Sequence, residues 1–288
     1  MNSPFFYKLQ ILPVLAAFLV PFGASAADDA TSPFTGHIDL VSKYVLRGIT
    51  TQYGNGAPLG NVGADAPESD RPALQWGIDW VHASGWSLGY FGSMVNYSYK
   101  QLGRSYDDPT ITDYQHPKSI ENDFYGAYSG KLGEFGYTFG LTGYYYINGK
   151  NANGLETKVG LSYGPFSAYA QTLLNDVVWG NSGDTYYSIV YTAALPKDIT
   201  FTGTLGAYSY DKTGNFIGSS CGSGSYLNVT CSTGAAPVGS AFRHLTLALS
   251  APIPETPFVV GIQAIFGGKS RFGINQKNQI VGSLTYAF

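Results

Sequence analysis

Charge is what this 288-residue sequence has least of: Asp, Glu, Lys and Arg make up 12% of it, about half the roughly 25% of an ordinary soluble domain. That scarcity disfavours a cytosolic protein. The 16 basic residues do not outnumber the 19 acidic ones and the formal net charge is -3, so the basic excess of a nucleic-acid binder is missing. Only 4 histidines are present, and His37, His82, His116 and His244 fall in no metal-ligating spacing, which leaves metal catalysis without a ligand set and calls for no cofactor. Beyond residue 26 no apolar run approaches the about 20 residues of a membrane-spanning helix. A barrel stays open, because its signal is weak alternation rather than a long run.

Glycine (37) and tyrosine (23) are abundant instead, and 15% of the chain is aromatic, a composition of β-structure rather than of a disordered chain. Residues 1–26 read as a secretory signal peptide: Lys8, then an apolar stretch from Leu9 to Phe22, then the small-x-small triplet Ala24-Ser25-Ala26. Residues 27–288 are then one exported domain. The 2 cysteines, Cys221 and Cys231, lie in a Gly/Ser/Thr/Asn-rich stretch, and in an oxidising compartment an even count points to a disulfide.

Alternation with period two recurs along the exported part. Ile38, Leu40, Tyr44 and Leu46 share one face of the first segment, and Asp39, Lys43 and Arg47 the other. Phe135, Tyr137, Phe139, Leu141, Tyr145 and Ile147 oppose Gly136, Thr138, Gly140, Thr142 and Asn148. Twelve such segments follow, at 36–49, 73–83, 86–96, 121–130, 135–148, 154–163, 166–176, 184–194, 199–210, 241–251, 258–267 and 277–288. They are longer than globular strands and match tilted membrane strands of about 9 to 11 residues plus rim. Their connections alternate between tight links, such as Gly164-Pro165, and polar stretches as long as 211–240. An all-β, antiparallel transmembrane β-barrel of about 12 strands is expected, with short periplasmic turns, long extracellular loops and an aromatic girdle at the short-turn end. Ile280, Leu284, Tyr286 and the terminal Phe288 resemble the strand by which the barrel-assembly machinery recognises its clients.

Ser42-Lys43-Tyr44-Val45-Leu46-Arg47-Gly48-Ile49-Thr50, with Gln52 after it, resembles the opening motif of the TorF family of porins. Gln75-Trp76-Gly77-Ile78-Asp79, Gly89-Tyr90-Phe91-Gly92-Ser93, Asp123-Phe124-Tyr125-Gly126 and Tyr144-Tyr145-Tyr146 follow in that family's order. The resemblance implies an outer-membrane porin; the loops at 53–72, 99–119 and 214–239 look like expansions of the family's pattern.

Other motifs carry little chemistry. His82-x-Ser84 is similar to the pair in outer-membrane phospholipase, but acyl transfer also needs an orienting partner and oxyanion donors, and the pair falls at a short turn. Asp107, Asp108 and Asp113 could share a calcium ion, without EF-hand spacing. The expected function is therefore a channel for passive diffusion of small hydrophilic solutes across the outer-membrane lipid, the alternative being a non-conducting barrel whose loops bind a partner. Twelve strands about 4.8 Å apart and tilted by about 40° give a backbone radius of about 12 Å. Alternation assigns the pore-lining charges. Lys43 and Arg47 on the first strand and Lys277 on the last form a basic wall. Glu121, Asp123, Glu156 and Asp184 face it, with Lys158 among them, and Asp39 and Asp79 complete the inward set. Nothing in the sequence marks a subunit contact of a homo-oligomer.

Overall fold

The computed structural model describes residues 33–49, 71–105, 107–108, 110–111, 113–217 and 238–288. The proposed signal peptide, the disulfide cysteines Cys221 and Cys231, and most of the first and fifth long loops lie outside the described residues.

Twelve strands form one closed antiparallel barrel in which each strand pairs with its neighbours in sequence and the last pairs with the first. They are β1 Phe34–Val41, β2 Ala73–Val81, β3 Trp86–Met94, β4 Ile120–Leu132, β5 Phe135–Ile147, β6 Gly154–Tyr163, β7 Phe166–Leu173, β8 Thr185–Leu195, β9 Ile199–Ser209, β10 Ser240–Pro252, β11 Phe258–Gly267 and β12 Gln279–Ala287. Closure runs from His37 opposite Ala287 to Val41 opposite Ser283. Phe288 and Gly36 exchange two further backbone hydrogen bonds of 2.7 and 2.9 Å. A closed ladder leaves no strand edge, the condition for crossing hydrocarbon with strands.

The outer face explains why the period is two. Ile38, Leu40, Leu88, Phe139, Leu141, Leu161, Ile189 and Ile262 are all exposed, forming an apolar belt far larger than a soluble surface tolerates. At the short-turn end, rings pair across strands: Phe135 with Tyr163 at 4.9 Å, Phe166 with Tyr191 at 5.1 Å, and Phe258 with Tyr286 at 5.5 Å. This is the arrangement of an interfacial girdle. The turns themselves use left-handed residues, among them Gly85, Gly133, Gly164 and Lys197.

Several strand ends differ from the alternation by two or more residues, and two of the differences move charges assigned to the lumen. The first strand stops at Val41 rather than continuing to residue 49. Ser42 makes the last ladder contact, its N–H donating to Gly282 O at 2.9 Å, and the chain then turns into the barrel. Tyr44, expected beside Ile38 and Leu40 on the lipid face, is instead buried against Val41, Ala73 and Phe91. Periodicity continues in the residue types past 42, but the backbone no longer follows it. The last strand begins at Gln279, so Lys277 sits ahead of it, exposed in the β11–β12 connection.

The buried core lies inside the long-loop end. The β3–β4 connection contains a short helix, α1 Tyr99–Ser105, started by Ser98, whose Oγ accepts the Gln101 N–H at 3.1 Å as an N-cap does. Tyr99 and Leu102 pack with Tyr144 and Tyr146 of β5 and with Val178 of the β7–β8 connection, and the Tyr99 and Tyr146 rings are 4.2 Å apart.

Candidate functional site in the barrel lumen

The chain from Ser42 to Ile49 crosses the lumen. From Val41 to Arg47 the extended reach is about 20 Å, enough to bring a side chain from β1 to the far wall of a barrel about 24 Å across. Along the way Lys43 Nζ donates to Gln279 Oε1 on β12 at 2.6 Å, and Tyr44 meets the Phe91 ring of β3 at 6.2 Å. The crossing ends in a tight turn at Leu46–Gly48, where Arg47 and Gly48 both have positive φ, 49° and 71°. Left-handed backbone disfavours a non-glycine residue, so Arg47 is held there by what its side chain gains.

That gain is a bidentate ion pair. Arg47 Nη1 donates to Glu156 Oε1 at 2.9 Å and Nη2 to Glu156 Oε2 at 2.7 Å, the two-pronged geometry in which guanidinium and carboxylate match best. Nη1 also donates to Tyr208 Oη at 2.8 Å and Nη2 to Tyr144 Oη at 3.3 Å. The guanidinium carbon lies 4.7 Å from the Tyr186 ring centroid, a cation–π distance. Glu156 is fixed from behind by the Tyr144 hydroxyl at 2.7 Å and by Gln171 Nε2 at 3.1 Å. These partners come from β5, β6, β7, β8 and β9, the half of the barrel opposite β1 in strand order. Gly48 touches β10: a Cβ there would overlap the Cβ and Cγ of His244. His244 shares hydrogen bonds with Tyr186 Oη at 2.8 Å and Thr246 Oγ1 at 2.9 Å.

A second cluster lies nearer the long loops. Arg271 pairs with Asp184 and stacks 4.5 Å from the Tyr210 ring centroid. Asp184 additionally accepts the N–H groups of Asn181 and Asp211, both at 2.8 Å. Arg243 donates to Tyr210 Oη at 3.0 Å and lies over Tyr208 at 5.6 Å. Tyr208 and Tyr210 are themselves stacked at 5.0 Å. Arg47, Arg243 and Arg271 thus interleave with Tyr186, Tyr208 and Tyr210 along one wall.

Most of the remaining inward charges from alternation meet a neighbouring side chain. Asp39 accepts from Thr285 Oγ1 at 2.5 Å and lies 2.6 Å from His37 Nδ1. Asp79 accepts from Tyr125 Oη at 2.6 Å, and Glu121 from Tyr146 Oη at 2.7 Å. Asp123 is fully buried, on the same strand as Glu121. Lys158 Nζ lies 4.5 Å from the Tyr169 ring centroid. Alternation set Arg47 and Glu156 on opposing walls; the structure brings them into direct contact.

Alternation missed Tyr44, Tyr186, Tyr208, Arg243 and Arg271 as parts of the site. For Arg243 a signal existed. Extending the outward parity of the exposed Leu247 and Leu249 back along the strand, strict period two would aim a guanidinium at lipid, which is costly, so a bulge is demanded. The ladder does shift register between Phe242 and His244, turning both Arg243 and His244 inward. Arg271 gave no such signal, because it comes from a loop.

The other motifs stand apart from the lumen. His82 Nδ1 and Ser84 Oγ are 2.6 Å apart on an exposed short turn, and among the described residues no carboxylate orients the histidine. Asp107 pairs with Lys150 at 2.5 Å and Asp113 caps Gln115 N–H at 2.8 Å. Thr110 donates its hydroxyl and N–H to Asp108, holding that carboxyl below its ordinary range. The three carboxylates serve separate turns, and among the described residues no group of three His, Cys, Asp or Glu is placed to hold a metal ion.

No curated protein matches the sequence. Among solved structures the chain is similar to a KdgM porin, at 8% identity and a TM-score of 0.48, over 88% of this chain and 99% of that one. It is also similar to the outer membrane phospholipase A of Escherichia coli, at 14% identity and a TM-score of 0.39 over 87% and 95% of the two chains. A third likeness is to Salmonella typhi OmpF in its complex with daunomycin, at 10% identity and 0.39 over 88% and 97%. Likenesses at these identities concern the fold alone. In sequence, residues 25–206 match the family described as a bacterial protein of unknown function, Gcw_chp. That match spans more than half of the chain, which therefore belongs to the Gcw_chp family.

Proposed function

We propose that this barrel is an outer-membrane channel of the TorF porin type, through which small hydrophilic solutes diffuse passively. The observation that carries the reading is the sorting of side chains by the barrel wall: an apolar belt outside and, inside, a lining of Tyr, Thr, Gln and charged side chains, several of them ion-paired or hydrogen-bonded to neighbours. Apolar atoms outside favour lipid, and hydrogen-bonding groups inside can replace part of a solute's hydration without holding it tightly. Asp39, Lys43, Arg47, Asp79, Glu121, Asp123, Glu156, Lys158 and Asp184 line the path in this reading, and Lys277 stands at its mouth. Residues 1–26 direct export, Cys221 and Cys231 bridge the β9–β10 loop, and the β12 strand ending in Phe288 is read by the assembly machinery. Liposomes carrying the purified protein should swell in small sugars and progressively less in larger ones. Equal swelling rates with and without protein, for every sugar, refute passive diffusion.

A second reading, a non-conducting barrel whose loops bind a partner, is favoured by one observation. The Ser42–Ile49 crossing and the α1 packing both occupy the lumen. Swelling that is absent while the barrel is shown to be folded selects it.

A further inference from the structure

Both terminal nitrogens of the Arg47 guanidinium are fully engaged and only its buried Nε lacks a partner among the described residues, yet the side chain is not part of the wall that surrounds it. Glu156 takes both terminal nitrogens, Tyr208 and Tyr144 accept from them, and the Tyr186 ring supplies an aromatic face. Gln171 and Tyr144 hold the carboxylate in place. These residues sit on adjacent strands and would keep their positions without Arg47, which arrives from β1 on a strained turn.

We infer that Glu156, Tyr144, Tyr186 and Tyr208 form a guanidinium-binding site in the lumen, that Arg47 is its tethered occupant, and that this occupancy holds residues 42–49 across the channel as a releasable strap. The inference rests on the channel reading and deepens it. The chemistry selects the ligand class. A planar cation with donors along one edge satisfies the carboxylate fork and lies on a ring face at once, whereas an ammonium is a point charge that does neither equally well. Emptied, the cage leaves a desolvated carboxylate without its cation, an unfavourable state, so a free guanidinium should enter when the tethered one is removed. The turn supports release rather than permanent fixture: its left-handed backbone opposes the side-chain interactions instead of adding to them.

The test uses the full-length exported protein carrying Arg47→Ala in planar bilayers, with methylguanidinium as probe and methylammonium as control. The variant should conduct about twofold or more above the wild type, since the strap no longer anchors on the far wall. Millimolar methylguanidinium should lower the variant's current reversibly where methylammonium does not. Adding Glu156→Gln should abolish that block. If the double variant fails to assemble, Arg47→Ala with Tyr208→Phe keeps the carboxylate, loses one acceptor, and should show a weaker block. Equal responses to the two cations in folded Arg47→Ala overturn the site. If neither wild type nor variant conducts, the channel reading falls, and calorimetric titration decides the site separately. One-to-one binding of methylguanidinium to Arg47→Ala sustains it, and absence of binding overturns it.

Discussion

Gly48 is the position at which a single methyl group should unseat the lumen crossing without touching any charged residue. Its φ of 71° disfavours an alanine by about 1 to 2 kcal/mol. The added Cβ would also overlap the Cβ and Cγ of His244. Those atoms are anchored to the β10 ladder and cannot swing away as a flexible side-chain end could, so overpacking adds about 1 to 3 kcal/mol. Together these oppose the seated turn by about 3 kcal/mol, a roughly hundredfold change in the ratio of seated to unseated states. The charge-assisted bonds of Arg47 are worth about 1.5 to 3 kcal/mol each before desolvation is subtracted, so the substitution is of the same order as what holds the turn. Gly48→Ala should therefore leave the barrel folded, because no ladder hydrogen bond involves residue 48, while raising unit conductance and its fluctuations. Heat-modifiable gel migration checks the fold, and single-channel recording reads the effect. A folded Gly48→Ala protein with wild-type conductance and wild-type noise would refute the account of how the turn is held.

Three further outcomes follow from the wall and the belt. Arg271→Met should lower unfolding stability in detergent by about 2 to 3 kcal/mol, toward the low end for a broken buried pair, because Asp184 keeps the N–H groups of Asn181 and Asp211; a urea midpoint within experimental scatter of the wild type contradicts that. Leu141→Arg, at the centre of β5 on the exposed apolar belt, should cost about 2 to 4 kcal/mol in lipid, whereas the same change in a soluble barrel would cost almost nothing; stability in lipid vesicles distinguishes the two. Removing Phe288, which exchanges two backbone hydrogen bonds with Gly36 and stacks near Tyr286, should reduce the yield of assembled barrel in membranes, and an unchanged yield would deny it that role.

The strands and both kinds of connection were legible in the sequence because lipid outside and water inside force opposite polarity on successive residues. Leu141 beside Thr142 and Leu205 beside Thr204 carry that alternation. The boundary at Val41 was not legible, since Lys43 and Arg47 continue the polar parity while the backbone has already left the sheet. Tyrosine was ambiguous for a different reason. Its ring suits lipid and its hydroxyl suits the lumen, so Tyr145 faces out whereas Tyr144 and Tyr146 face in. The charges were identified as an inward set, but their pairing depends on where the 42–49 segment goes and on the bulge at Arg243, both of which are three-dimensional facts.

Single-channel recording of the purified protein in planar bilayers decides whether the barrel conducts. Discrete conductance steps of small unit size are expected for a narrow barrel whose lumen is crossed by one strap. A membrane that stays silent, with protein shown by heat-modifiable migration to be folded and inserted, would contradict the channel reading.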